Sequence, residues 1–168
     1  MLKYVGVPTY NIKEGAVMII TFCGHSHFLG SAEREGEILA LLERLVGDNE
    51  AELFLGGYGN FDEFAYACSK KFKERHPKVS LVFVTPYLTL DYQKNHLEYK
   101  SRIYDSILYP EIEGKPLRFA ITYRNRYMVE QADYIIAYIA HSSGGAYRTF
   151  KYAKKLGKEI YNIGSLSE

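Results

Sequence analysis

Strand-length apolar runs alternate with segments of helical period from residue 18 to near the end of the chain. In the first helical segment Ile38, Leu41, Leu42 and Leu45 recur at the i, i+3, i+4 and i+7 positions of one apolar face. The pattern predicts strands at 18–23, 51–55, 79–85, 134–139 and 159–163, and helices at about 32–46, 61–76, 124–131 and from the turn at 140–149 to 156. Because the units are short, we expect a three-layer α/β domain with helices on both faces of a mostly parallel sheet, in strand order 3-2-1-4-5.

The same pattern sets the limits of a single domain. Residues 1–17 have little periodicity and are expected to form an N-terminal extension, whereas residues 18–168 form the α/β domain. A long irregular connection at about 86–120 mixes aromatic, charged and turn residues, and connections of this length usually serve a function. Its tyrosine-rich part could cover the crevice of a partner subunit as easily as its own, so a homo-oligomer is one expectation.

Three loops are expected at the carboxyl edge of the sheet, where ligands bind in such folds. They read CGHSHFLGS, GGYGNFD and AHSSGGAYR. Two of them place paired glycines before a helix N-terminus, which suits a phosphate or another anion. Neither completes a Walker A loop or a Gly-x-Gly-x-x-Gly fingerprint, which argues against a kinase or an ordinary dehydrogenase. The predicted ligand-binding residues are Gly24, His25, Ser26, Gly56, Gly57, Tyr58, Arg124, Ser142, Ser143, Gly144, Gly145 and Arg148.

These segments resemble the SLOG superfamily of Rossmann-like domains, which includes YpsA-like proteins and the Lonely Guy phosphoribohydrolases. The similarity covers about residues 18–163 and rests on TFCGHS, FLGGYGNFDEFA and RNRYMVEQADYIIAYIAHSSGGAYRTFKYA. It implies a Rossmann-like fold that binds a nucleotide or a nucleotide-derived ligand across the crevice, and some members cleave the N-glycosidic bond. The superfamily also includes a DNA-processing branch.

The catalytic turn of the hydrolase members is incomplete in this sequence. Arg124 and the Gly144-Gly145 pair match their residues, but Lys151 or Tyr152 stands where their glutamate belongs. An ammonium group cannot replace a carboxylate that stabilises an oxocarbenium-like centre. Enzymatic activity is therefore left open, with a nucleotide N-glycosidase or phosphoribohydrolase as the expected class if there is one.

Glu63 is the carboxylate that could take over this role from the second loop. With Arg124 it would form the catalytic set of such an enzyme. The other interpretation is that Glu63, and more strongly Asp62, only complements the helix dipole while Asn60 caps the helix. Both interpretations remain open for Glu63.

The first loop also contains residues that could react or bind a metal. Cys23 and His25 are too close in sequence to form a nucleophilic pair, so a buried thiol is expected at Cys23. His25 and His27 lack a third ligand at a recognisable spacing, and no metal site or cofactor is predicted.

Composition bears on partners and location. The 21 basic and 20 acidic residues give a formal net charge of +1, from which nucleic acid is expected to be an unlikely partner. Two cysteines and the lack of an apolar run of membrane-spanning length favour a cytoplasmic protein without membrane contact. The leading expectation is sensing or sequestration of a nucleotide-derived small molecule. The alternatives are the hydrolase and a DNA-binding or protein-interaction module.

Overall fold

The structure is a computed structural model that describes residues 16–166. The predicted N-terminal extension lies outside these residues except for positions 16 and 17. The strands are β1 Met18–Gly24, β2 Ala51–Leu55, β3 Val79–Val84, β4 Ser106–Leu108, β5 Tyr134–Tyr138 and β6 Glu159–Asn162. The helices are α1 Ala32–Val46, α2 Asn60–Arg75, α3 Leu90–Tyr92, α4 Glu98–Ile103, α5 Ala120–Gln131 and α6 Gly144–Lys155.

All six strands run parallel in one sheet, in the order β4-β3-β2-β1-β5-β6. The predicted α/β class and parallel sheet are confirmed. The predicted strand order is wrong in one detail, because it lacked the edge strand β4, while the other five strands keep the expected sequence of neighbours. The winding reverses at β1, which lies between β2 and β5.

The two faces of the sheet carry different helices. On one face α1 and α2 cover the largest apolar cluster, with Ile38, Leu42 and Phe61 completely buried. On the other face α5 and α6 cover a second cluster that includes Val129 and Phe150. No helix within residues 16–166 is long and apolar enough to cross a membrane.

The connection at 86–120 has more regular structure than its sequence indicates. A π-helical segment, Gln93–Leu97, joins α3 to α4, and a 3-10 turn at Leu117–Phe119 leads into α5. Between them β4 pairs with β3, after Asp105 has exchanged two hydrogen bonds with Leu81. The expectation of an irregular connection is therefore wrong in part, because a three-residue strand is too short to produce a detectable period.

Helix boundaries differ from the predicted ones at the two places that matter for the site. α5 begins at Ala120, four residues before the expected start at Arg124. The N-cap of α2 is Gly59 with φ 88°, so the prediction that Asn60 caps this helix is wrong. Only glycine adopts this backbone conformation readily, and a Cβ at Gly59 would also lie 2.8 Å from Cα of Ser26.

The junction between β1 and α2 depends on the absence of a side chain at Gly24. A Cβ at this position would lie 2.2 Å from Cδ1 of Phe61, whose side chain is completely buried. The last residue of β1 and the first turn of α2 are therefore in direct contact, and this contact fixes the first and second loops relative to each other.

We expect Gly24→Ala to lower the free energy of unfolding by about 1–3 kcal/mol, because the added methyl group overpacks the core against Phe61. Urea unfolding followed by circular dichroism measures the change. Gly36→Ala is the matched control: Gly36 lies within α1 with open space around it, and alanine there should stabilise the helix by up to about 1 kcal/mol. Equal unfolding midpoints for the Gly24→Ala variant and the wild-type protein would contradict this account.

Candidate functional site

A crevice of about 330 Å³ lies at the carboxyl edge of the sheet, where β1 separates the two winding directions. Its wall combines the end of β1, the first turn of α2, the inner side of α5 and the N-terminus of α6. The predicted residues in the wall are Gly24, His25, Ser26, Tyr58, Arg124, Ser143, Gly144 and Gly145. The topology rule for parallel sheets thus places the crevice correctly.

Arg124 is the most deeply buried charged residue of this wall, with 1% of its surface exposed. Its Nη1 donates to the carbonyl oxygens of Gly56 at 2.7 Å and Val84 at 2.8 Å, and its Nε donates to Oδ1 of Asn125 at 2.9 Å. The guanidinium therefore joins α5 to the ends of β2 and β3. A Cβ at Gly56 would lie only 3.1 Å from Cζ of Arg124, which explains the glycine at this position.

Asp62 is the carboxylate that faces the crevice. Its Oδ2 accepts a hydrogen bond from the backbone N–H of Tyr58 at 2.9 Å. Burial raises the pKa of Asp62 to about 6, although that hydrogen bond and the charges of Arg124 and Lys100 act in the opposite direction. Its sequence position favours a role in complementing the helix dipole, whereas in the structure Asp62 lines the crevice.

Lys100 reaches the second loop from α4, and no local sequence pattern indicates this. Its ammonium group lies 5.0 Å from the ring centroid of Phe83, and a Cβ at Gly57 would approach it to 3.1 Å. Burial lowers the pKa of Lys100, while Glu63 and Asp62 oppose that shift. The long connection therefore contributes a cation beside the crevice.

The N-terminus of α6 opens into the crevice without a side-chain cap. Ser143 occupies the N-cap position, but its hydroxyl pairs with Nδ1 of His141 at 3.0 Å. Gly144 has φ 88°, and open space surrounds the position of a Cβ on Gly144 and on Gly145. No side chain therefore occupies the first N–H groups of the helix, and binding of an anion there stays a prediction.

Five predicted residues lie outside the crevice wall. Gly56 is buried behind it as the acceptor for Arg124, and Gly57 forms the adjacent turn with φ 62°. Ser142, Arg148 and Glu63 are exposed to solvent. The wall instead includes Asp62, Asn125 and His141, together with apolar side chains of α5. Whether any of these residues binds a ligand stays a prediction.

The cysteines and histidines form no reactive or metal-binding group in the described structure. The predicted buried thiol is confirmed at Cys23, whose Sγ donates to the carbonyl oxygen of Ala146 at 3.3 Å. Burial raises the pKa of this thiol to about 12, which makes it a poor nucleophile. Within residues 16–166, no three His, Cys, Asp or Glu side chains are grouped closely enough to hold a metal ion.

Comparisons with known proteins show a relative by sequence and solved structures with a similar fold, and no family profile matches the chain. The uncharacterized SPbeta prophage-derived protein YoqJ of Bacillus subtilis strain 168 is 27% identical over 76% of this chain and 85% of its own length. The solved DNA processing protein A of Helicobacter pylori matches 86% of this chain with a TM-score of 0.58 and 17% identity. That of Streptococcus pneumoniae matches 90% with a TM-score of 0.62, also at 17% identity.

The chain spans 64% and 52% of these two DNA processing protein A chains, and at such identity the likeness shows the fold alone. It confirms the Rossmann-like fold that the SLOG resemblance implied. The SLOG assignment itself, the narrower YpsA-like or Lonely Guy-like assignment, the cytoplasmic location and the homo-oligomer stay predictions.

Two expectations about function are corrected by these comparisons. The leading one was binding of a nucleotide-derived small molecule, but the matching structures are DNA processing proteins, and the Helicobacter pylori protein is described by its single-stranded DNA binding mode. The expectation that nucleic acid is an unlikely partner is wrong on the same ground. That expectation used only the net charge of +1 of the whole chain. A net charge averages over surfaces of opposite sign and does not show whether basic residues are concentrated on one of them.

We expect Asp62→Asn to stabilise the fold at pH 8 by about 1–3 kcal/mol and to leave it unchanged near pH 3. Because the pKa in the folded state is raised from 3.8 to about 6, the protonated form fits the fold better, and wild-type stability falls as pH rises between these values. Asparagine stays neutral and can still accept from Tyr58. Urea unfolding at several pH values measures the difference.

The matched control for this experiment is Glu63→Gln, which removes the same charge at the exposed neighbouring position. Its effect should be small and should not follow the pH window of Asp62. An Asp62→Asn variant that is less stable than the wild-type protein at pH 8 would mean that attraction to Arg124 outweighs the cost of burying the carboxylate.

Proposed function

We propose that this chain binds single-stranded nucleic acid, specifically single-stranded DNA, along the outer side of α5 and α6 and into the crevice. The observation that carries the proposal is a concentration of basic residues in the segment that contains these two helices. Residues 115–158 contain nine lysines and arginines but only two acidic residues, whereas the other 124 residues contain twelve basic and eighteen acidic ones. A nearly neutral chain thus has one strongly basic segment.

Six exposed cations of this segment define the basic face. They are Lys115, Arg118, Arg126, Arg148, Lys151 and Lys155. The ion pairs Arg34–Glu37, Lys71–Glu35, Lys73–Asp105, His76–Glu43 and Arg102–Glu98 lie on the other helices α1, α2 and α4 or beside them, and none of them includes a cation of the basic face. Cations without carboxylate partners retain their full attraction for a phosphate backbone.

The basic face is continuous with the uncapped N-terminus of α6. Arg148 lies one helical turn beyond Gly144, and Arg126 of α5 lies 5.2 Å from the ring centroid of Tyr152 on α6. Phosphates held along the two helices would therefore lead to the free N–H groups at the crevice mouth.

The dimensions and the aromatic residue at the mouth favour a single strand over a duplex. A crevice of about 330 Å³ is far too small for a double helix, and Tyr58 in its wall is 63% exposed. An exposed aromatic ring at the mouth of a crevice offers a surface on which unpaired bases can stack. A base from a single strand could reach Tyr58 without breaking base pairs.

Similarity to other proteins gives separate support. The Helicobacter pylori protein binds single-stranded DNA, and this chain spans 64% of its length. Binding of single-stranded DNA by this chain is therefore part of the proposal. The finer assignment to the DNA-processing branch of the SLOG superfamily belongs to the same proposal.

We expect the wild-type protein to bind labelled oligo(dT) with an affinity that falls steeply as salt rises, and Arg148→Glu/Lys151→Glu to weaken this binding at least about tenfold. Each lost phosphate contact should also reduce, by about 0.7, the steepness with which the logarithm of the association constant falls with the logarithm of the salt concentration. Fluorescence anisotropy between about 50 and 200 mM KCl measures both quantities.

The matched control is Lys70→Glu/Lys78→Glu, which makes the same change of charge on the α2 side of the sheet. Its affinity should stay close to that of the wild-type protein. Absence of binding by the folded wild-type protein at low salt, or equal losses in the two double variants, would reject the proposed surface.

Stacking at the crevice mouth gives a second test. We expect Tyr58→Ala to weaken oligo(dT) binding by about 1–3 kcal/mol and Tyr58→Phe to retain it, because the ring and not the hydroxyl supports a base. Tyr99, which is 60% exposed on α4 and outside the crevice wall, provides the control Tyr99→Ala. The bound oligonucleotide should quench tyrosine fluorescence in the wild-type protein and in Tyr99→Ala, and this quenching should disappear selectively in Tyr58→Ala. Equal behaviour of Tyr58→Ala and Tyr99→Ala would exclude this role.

A further inference from the structure

His25 is a buried histidine at a position where neither the apolar core nor the basic face requires an imidazole. It follows directly after β1, and only 6% of its surface is exposed. Its backbone N–H donates to the carbonyl oxygen of Tyr138 at 3.3 Å, which continues the pairing of β1 with β5. The side chain is therefore held beneath the loop that follows β5.

The ring of His25 accepts hydrogen bonds from this loop. Its Nε2 lies 3.1 Å from the backbone nitrogen of Ala140 and 3.4 Å from that of His141. A ring nitrogen can accept only when it carries no proton, so the imidazole is neutral with its hydrogen on Nδ1. One side chain thus binds two consecutive amides that are distant from it in sequence.

A second set of contacts continues from this ring to helix α6. The ring of His141 stacks on that of His25 with centroids 3.7 Å apart and planes 9° apart. Nδ1 of His141 pairs with the hydroxyl of Ser143, the N-cap residue of α6. Because this hydroxyl is engaged by His141, it does not cap the helix, and the first N–H groups of α6 stay open.

We propose that neutral His25 is a positioning residue that holds the turn from Ala140 to Ser143, and with it the anion-accepting N-terminus of α6, and that a proton on Nε2 releases this turn. The inference rests on the proposed function, since the bound anion is taken to be a phosphate of the nucleic acid. His25 itself touches no phosphate in this scheme.

The groups that surround His25 determine the direction of its response to pH. The ring of Tyr138 from β5 meets it edge-on, and the ring of His141 covers one face. Burial, followed by the charge of His141, lowers the pKa of His25. Because the pKa of His25 is lowered, its neutral ring stabilises the turn fully above about pH 6.5, the ordinary pKa of histidine. This stabilisation is lost as pH falls below that value.

Asp62 in the same crevice also titrates, and its protonation would favour a phosphate. The net pH dependence of binding therefore mixes several groups. The informative quantity is the ratio of the wild-type Kd to that of a His25 variant at each pH, because the contributions shared by both proteins cancel.

Two conservative variants separate the role of Nε2 from that of the other ring nitrogen. The side-chain amide of glutamine in His25→Gln reaches the position of Nε2 and accepts a hydrogen bond without titrating, whereas that of asparagine in His25→Asn reaches only the position of Nδ1. We expect His25→Gln to bind oligo(dT) within about twofold of wild type at pH 7.5, and His25→Asn to bind at least about fivefold more weakly. As pH falls to 5.5, the wild-type protein should lose affinity relative to His25→Gln.

Amide hydrogen exchange of the free protein, followed by NMR, tests the positioning without nucleic acid. The amides of Ala140 and His141 should be protected in the wild-type protein at pH 7.5 and in His25→Gln at both pH values, and should lose protection in His25→Asn. Equal protection in the two variants, or protection in the wild-type protein that is unchanged at pH 5.5, would overturn the inference. Failure of the wild-type protein to bind oligo(dT), with this exchange pattern intact, would reject only the proposed function.

Discussion

The buried guanidinium of Arg124 is the interaction on which the shape of the crevice depends. A charge removed from water must be compensated by hydrogen bonds, and here two carbonyl oxygens at the ends of β2 and β3 accept from Nη1. The contact fixes α5 against the carboxyl edge of the sheet and leaves little room for a side chain at Gly56. Arg124 is thus first a structural residue, and any contact with a ligand is an addition to that role.

The sequence predicted the parts of the fold that depend on local pattern. The long apolar stripe of α1 identified its range, and the apolar runs identified five strands. It missed β4, because Ser106–Leu108 becomes a strand through pairing with β3 and the bonds of Asp105 to Leu81, which are not encoded in a local period. Lys100 was missed for the same reason, since it reaches the second loop beside the crevice only through the folding of the long connection.

The site shows how much a small error in a helix start matters. Topology alone brought the three loops together, but the side chain that faces the crevice depends on where α2 begins. Successive residues of an α-helix point about 100° apart, so Asp62 can face inward only while Glu63 faces solvent. The sequence contained a signal for this choice in Gly59, because a glycine before a helix can supply the positive φ that Asn60 adopts less readily.

The charge distribution divides the proposed binding surface into two parts with different physical roles. The crevice contains a carboxylate at Asp62 and an arginine whose Nη1 and Nε are already bonded within the protein, so it offers little net attraction for a polyanion. The basic face lies outside it, where exposed cations act over roughly 10 Å at moderate salt. Attraction and orientation of a DNA strand would therefore come from the basic face on α5 and α6, while the size of the crevice determines which part of that DNA can enter. Because a carboxylate with a raised pKa faces that crevice, uncharged parts of a nucleotide are better suited to its interior than phosphates, which belong at its mouth beside Gly144 and Gly145.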